Sequence, residues 1–271
     1  FTLLNLLGLS TGLACSLLLY LWISDELKVD KYNEKDSRLY QVMANAHTDH
    51  GIQTGWGMPG LLGKTLSEEI PDIEYSVSIL PASWFPHAGV LTGNDTRMKA
   101  RGQYVGKDYF NVFTCPFVQG NKDQLFADNH RIAISEELAN KLFHTTQNLV
   151  GKRLQWDLDA LGGDFVIAGV FKKPPSNSTE QFDCLMNYSL VLEKRPELNT
   201  WSNSDPSTFV IVRPHINIDQ LNNKIRDFLK SKHKDANSSL FLTRYSDRYL
   251  YGKYENGVQA GGRITYVRLF S

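Results

Sequence analysis

FTLLNLLGLSTGLACSLLLYLWIS, residues 1–24, decides how the rest of the chain is read. The stretch contains no Asp, Glu, Lys, Arg or His, Leu recurs throughout, and Tyr20 and Trp22 gather at its far end just before Asp25, Glu26 and Lys28. As a helix it reaches roughly 36 Å, against a hydrocarbon thickness of about 30 Å. The composition predicts a membrane-spanning helix at 1–24, closed by an aromatic belt at the water interface. Three features argue against a cleaved signal sequence: no basic start, an apolar run longer than a signal core of about 7 to 15 residues, and no small-x-small site before Ser24. Because the chain opens on Phe1 and not Met, further residues are expected upstream.

All charge lies beyond Ser24, as 29 basic and 29 acidic residues. With no net charge to attract nucleic acid or anionic lipid, a nucleic-acid role is disfavoured. The chain after the span is long enough for one large domain or two smaller ones, and two subdomains are the preferred reading. Of the three cysteines, Cys15 lies in the apolar stretch, so only Cys115 and Cys184 are left to pair, and sequence leaves that open.

Beyond the span, Glu, Leu and Lys without a breaker predict that the helix continues as a stalk to about Asn33. A strand is expected from Arg38 to His47, turning near Asp49, His50 and Gly51. Leu61, Leu62 and Leu66 then mark one face of a helix that stops before Pro71. Ile73–Leu80 reads as a strand, and Gly89–Leu91 with Met98–Val105 as a hairpin through Gly93, Asn94 and Asp95. After a helical turn at Asp108–Phe113 comes the strand Arg131–Ser135, whose last residue caps a helix to Phe143. Strands follow at Arg153–Leu158 and Phe165–Phe171. The Pro-, Ser- and Asn-rich Lys172–Thr179 is the best internal boundary. A strand at Phe209–Arg213 precedes an amphipathic helix capped by Asn217, with Ile218, Leu221, Ile225, Phe228 and Leu229 on one face. The last strand is Ser239–Tyr245, and Tyr266, Val267, Leu269 and Phe270 are expected to lead into a second span. Interspersed short strands and helices make the fold class α+β.

Few motifs carry chemistry. Gly8-Leu9-Ser10-Thr11-Gly12 matches a hydrolase nucleophile elbow, but that chemistry needs a strained strand-to-helix turn, not a spanning helix. Gly8, Gly12 and Ser16 instead place small side chains one turn apart, where another helix can approach closely. Gly63-Lys64-Thr65 ends like a phosphate loop, yet the required first Gly falls on Met58. His47 and His50 around Asp49 lack a third metal ligand. Asn94, Asn177 and Asn237 open sequons that appear about as often by chance. No grouping of Ser, His and Asp announces an active site.

In order, these features resemble the permease subunits of ABC transporters of the MacB and FtsX type, especially the long-chain versions common in Bacteroidetes. The likeness rests on Asn5-Leu6-Leu7-Gly8-Leu9 and Gly12-Leu13-Ala14-Cys15, then Asp25-Glu26-Leu27, Asp30-Lys31-Tyr32-Asn33 and Arg38-Leu39-Tyr40. Asp108-Tyr109-Phe110, Val112-Phe113, Pro116-Phe117 and Gly120 continue it, followed by Ile134-Ser135-Glu136, Leu142-Phe143 and Val150-Gly151-Lys152. Gly169-Val170-Phe171, Pro175-Ser176-Asn177-Ser178, Phe182-Asp183 and Tyr266-Val267 with Phe270-Ser271 complete the series.

The resemblance implies a transmembrane helix at 1–24, a stalk helix at 25–37 and a MacB-like periplasmic core domain at 38–260. Within that domain it implies a porter-like part and a smaller part inserted at about 101–173, and it makes 261–271 the approach to a second transmembrane helix. It also implies a cytoplasmic N-terminus, location in the inner membrane, and a non-catalytic subunit with no cofactor or metal. The implied partners are a cytoplasmic ABC ATPase, a second copy or a related permease, and the lipid bilayer, with a periplasmic adaptor left open. Gly8, Gly12 and Ser16 would pack helices, and Asp25, Glu26, Leu27, Asp30 and Tyr32 would form the link to the domain. A single-span anchored sensor or binding protein is the alternative, and an anchored enzyme the third reading.

Overall fold

The computed structural model describes residues 2–270, so Phe1 of the apolar stretch and Ser271 of the C-terminal approach lie outside the described residues. The Leu-rich run forms α1 (Thr2–Glu26), along which Glu26 alone is buried among the described side chains. Such a helix, apolar all round and unpacked by its own domain until its last turns, has the length and composition to cross a bilayer.

The expected stalk helix does not form: α1 ends at Glu26, and the chain proceeds to Tyr32 in turns. Asp30 takes φ of +61°, a left-handed conformation that few residues besides Gly, Asn and Asp accept. Helix propensity is outweighed there by long-range hydrogen bonds to the Asp30 carboxylate, described below.

From Leu39 the apolar alternation builds β1 (Leu39–Thr48), which turns into β2 (Gly51–Gly55), then α2 (Leu62–Glu69) and β3 (Ile73–Leu80). The hairpin of β4 (Gly89–Gly93) and β5 (Thr96–Ala100) turns through Asn94 and Asp95, both at positive φ. The single strand read at Met98–Val105 is two, since β5 pairs only with β4, whereas β6 (Gly102–Val105) joins β3 and β11 (Cys184–Asn187). Between them lie α3 (Tyr109–Val112), β7 (Phe117–Gly120), β8 (Arg131–Ser135), α4 (Glu136–Phe143), β9 (Arg153–Asp157) and β10 (Gly163–Phe171). Ser135 Oγ accepts from Leu138 N at 3.2 Å, the expected cap of α4. After β11 come α5 (Tyr188–Lys194), β12 (Ser207–Val212), α6 (Ile218–Ile225), α7 (Phe228–Lys232) and β13 (Ser238–Arg244). The small hairpin β14 (Tyr254–Glu255) and β15 (Val258–Gln259) precedes α8 (Ile264–Leu269).

One mixed sheet carries everything except β14 and β15, in the order β13-β1-β12-β3-β6-β11-β8-β10-β9-β4-β5, with β2 on β1 and β7 on β10. Among the described residues, only β6–β11 and β8–β10 run parallel. Alternation sends successive residues to opposite faces. In β12, Val210 and Val212 join the core beneath α2, α6 and α7, while Phe209 and Ile211 join a second core on the other face with Val105, Tyr109, Phe113, Phe171 and Tyr245. A third core, around Trp156, Tyr104 and Phe165, draws on residues from Leu80 to Leu198. Over the stretch 101–173, expected as a smaller inserted part, the sheet continues unbroken, and the third core that lies there begins before Arg101 and ends beyond Lys173. Cys115 and Cys184 are both free and buried in different cores, and burial pushes the Cys115 thiol up to about 12.

The helix expected to continue from Ile218 through Leu229 is broken at Arg226–Asp227. The Arg226 carbonyl accepts from Leu240 N at 2.9 Å, and Asn222 Oδ1 accepts from Leu242 N at 2.9 Å. Two outward N–H groups of edge strand β13 are thereby covered, which blunts the edge against pairing with other chains. Asn222→Ala is expected to destabilise the domain by about 1–2 kcal/mol, because the Leu242 N–H loses its partner. Urea denaturation checks this as a lower midpoint with an unchanged slope.

Candidate functional site

The turns after α1 enter a polar network whose members come from three distant parts of the chain. Asp30, wholly buried, accepts from Thr179 N at 2.8 Å and Thr179 Oγ1 at 2.6 Å, and Ser178 Oγ lies 3.2 Å from Oδ1. The backbone adds Asp30 N to the Asn177 carbonyl at 3.3 Å, and Asn177 Nδ2 reaches the Lys28 carbonyl at 3.4 Å. Residues 177–179 therefore clasp the exit of α1; the segment read as an internal boundary is a docking loop.

Arg248 lies behind this clasp, its Nη2 donating to Thr179 Oγ1 at 2.5 Å and its Nε 3.6 Å from Asp30 Oδ2. Its Nη2 is also 3.6 Å from Glu180 Oε1, and its guanidinium stacks over the Tyr245 ring at 4.4 Å. Burial alone would lower the Arg248 pKa, but Tyr245, Asp30 and Glu180 more than offset it and hold the charge in place. Glu180 is shifted up, since desolvation outweighs the attraction of Arg248. Tyr32, beside Ser178 at 3.5 Å, is pushed up to about 12 by burial.

A second set of contacts ties α1 to the far end of the chain. Glu26 accepts from Tyr249 Oη and Arg263 Nη2, each at 3.2 Å, and Arg263 stacks over Tyr249 at 4.6 Å. Leu250, Ile264 and Val267 pack together with Trp22, Ile23 and Tyr249, and the Trp22 and Phe270 rings meet edge-on at 6.0 Å. The expected approach to a second span is thus a short helix, α8, seated against the last turns of α1. Further along, Asn33 Oδ1 accepts from Thr114 N at 3.0 Å and Glu34 N donates to Thr114 Oγ1 at 2.8 Å, fastening the exit to the turn after α3.

Of the residues singled out by sequence, Glu26, Asp30 and Tyr32 are brought into this junction. Asp25 and Leu27 are exposed at its rim. Gly8, Gly12 and Ser16 are exposed; among the described residues a Cβ at either glycine would touch no atom within 4 Å outside its own helix, and Ser16 Oγ donates to the Gly12 carbonyl at 3.0 Å. Ser10 Oγ likewise bonds back to Leu6, and Lys64 is a solvated helix residue. Among the described residues no group of three His, Cys, Asp or Glu is placed to hold a metal. Sequence reasoning missed Ser178, Thr179, Glu180, Tyr245, Arg248, Tyr249 and Arg263. The run Pro175-Ser176-Asn177-Ser178 was the available signal for the docking loop.

Beside the junction opens a cleft of about 360 Å³ between β1, the turn after β3, the docking loop and the chain leading to β14. Gln41, Met43, Trp56, Ser83, Glu180, Arg248, Tyr249 and Tyr254 are in its walls.

The family model of the MacB-like periplasmic core domain matches residues 2–228. No curated protein matches the chain. Among solved structures, the chain is similar to a domain ascribed to a permease protein of Porphyromonas gingivalis, with 21% identity over 79% of this chain and 92% of that one, at a TM-score of 0.65. The periplasmic region of MacB from Actinobacillus actinomycetemcomitans aligns at 19% identity over 76% of this chain and 89% of that one, with a TM-score of 0.53. The extracellular domain of the noncanonic ABC-type transporter YknZ from Gram-positive bacteria aligns at 12% identity over 76% and 99%, with a TM-score of 0.52. These likenesses show the shared α+β fold.

Proposed function

This chain belongs to the MacB-like periplasmic core domain family, and from that premise we propose that it is a non-catalytic, force-transmitting part of an ABC-type permease. In this reading a separate cytoplasmic ATPase hydrolyses ATP, two permease copies close and open together in the inner membrane, and α1 carries the movement to the periplasmic domain. Gly8, Gly12 and Ser16 would let a neighbouring helix approach α1.

The observation that carries the proposal is the clasp on Asp30. A flexible tether would leave the exit of a spanning helix free. Here the exit is bonded within a few residues to the docking loop, to Arg248 and, through Glu26 and Trp22, to α8. A shift or rotation of α1 therefore acts on the domain at several points at once. A helix used only to hold the domain at the membrane has no need of such a joint.

The Glu26–Arg263 pair tests this. With the permease and its ATPase in lipid nanodiscs, Arg263→Glu is expected to lower ATPase activity about two- to fivefold, the scale of one partly exposed ion pair. The double exchange Glu26→Arg with Arg263→Glu is expected to restore most of it. Absence of any effect of the single variant, or failure of the exchange to restore activity when both variants remain folded, would count against transmission through this joint.

A further inference from the structure

We propose that the cleft beside the junction is a binding site for an organic cation: one ammonium or guanidinium group on a small apolar or aromatic body. The charges in and behind its wall do not balance. Among the described residues Asp30, buried behind the cleft wall, and Glu180, in that wall, are both paired with Arg248, so two carboxylates face one cation. The two carboxylates are also unequally satisfied. Asp30 has bonds from Thr179 N and Thr179 Oγ1, a contact with Ser178 Oγ, and no exposed surface. The Glu180 carboxylate receives one hydroxyl, Ser83 Oγ, split between its oxygens at 3.1 and 3.2 Å, while Arg248 stays 3.6 Å away, beyond hydrogen-bond reach. A largely buried carboxylate with one donor has lone pairs to spare, and these are on the wall of the cleft.

The remaining walls suit the rest of such a ligand. Trp56, 45% exposed although aromatic and large, stands at the cleft with Met43, Tyr249 and Tyr254. Aromatic faces attract cations and pack against apolar bodies. Gln41, almost fully buried, adds an amide to the lining, and Thr243 Oγ1 and Tyr254 Oη meet at 3.0 Å at its edge. An anion would face Glu180 directly, because Arg248 is already engaged by Thr179 and stacked on Tyr245. The volume admits a small amine or one basic side chain with its neighbour, not a large amphiphile. The proposal stands apart from the transmission reading, since binding is measured by itself.

Isothermal titration calorimetry of the full chain in nanodiscs provides the test, with phenethylamine, the neutral 2-phenylethanol and the anionic 3-phenylpropanoate as probes. The amine is expected to bind at least tenfold more tightly than either analogue. Glu180→Gln, which keeps the shape and the Ser83 bond, is expected to weaken the amine tenfold or more, and Trp56→Ala, at an exposed position, two- to fivefold. N-acetyl-Lys-Phe-amide separates the two sources of the cation: tighter binding than phenethylamine identifies a polypeptide side chain, weaker binding a free small amine. Equal binding of the three small probes, no heat from the amine, or an amine affinity unchanged in a folded Glu180→Gln protein would overturn the assignment.

Discussion

Asp30→Ala is expected to destabilise the domain by about 3–5 kcal/mol, the scale for removing one partner from a buried charge network. Three consequences act together. Thr179 N and Thr179 Oγ1 lose their acceptor, Arg248 is left with Glu180 as its only nearby carboxylate, and alanine must take the positive φ of Asp30, which costs roughly a further 1 kcal/mol. Asp30→Asn tolerates that backbone and keeps one acceptor, so its loss is expected to be clearly smaller. Urea denaturation followed by circular dichroism checks the series. A loss below 1 kcal/mol for Asp30→Ala would mean that the clasp is not structural.

Trp156→Ala is expected to cost a similar 3–5 kcal/mol, by cavity formation instead of charge. The indole is fully buried, and the structure is built around it: a Cβ on Gly89 would fall 2.3 Å from the ring and one on Gly102 2.9 Å from it. Its Nε1 donates to Tyr104 Oη at 3.0 Å, and that hydroxyl lies 3.3 Å from the Leu161 carbonyl. Truncation empties the cavity and removes the donor to Tyr104. Hydrogen exchange should then accelerate first in β4, β6 and β9, which meet at the indole. Faster exchange in β1 and β13 alone would place the weak point elsewhere.

The difference between these two sites explains what could be read from sequence. Local rules were enough where the determinants are neighbours. The charge-free run predicts α1, Ser135 and Asn217 cap the helices they precede, and Asn94-Asp95 turns the β4–β5 hairpin. The core of the candidate site obeys no such rule. Asp30 and Thr179 are 149 positions apart, and Glu26 and Arg263 are 237 apart. The same remoteness misplaces the stalk: Glu26, Leu27 and Lys28 favour helix locally, and the chain leaves it for partners that sequence spacing cannot indicate. Arg226 is a further case, its carbonyl taken from helix continuation by Leu240 of the edge strand. Glu26, Asp30 and Tyr32 were legible as a link through family resemblance, but not the loop at 177–179 that holds Asp30.

The most direct test of the central claim is hydrogen–deuterium exchange of the permease assembled with its ATPase in nanodiscs, with and without a non-hydrolysable ATP analogue. Transmission through the clasp is expected to change protection together in three peptides, covering residues 26–33, 175–180 and 245–251, with the response lost in Asp30→Asn. Nucleotide-dependent changes that bypass these three segments, or that persist unchanged in a folded Asp30→Asn protein, would contradict it.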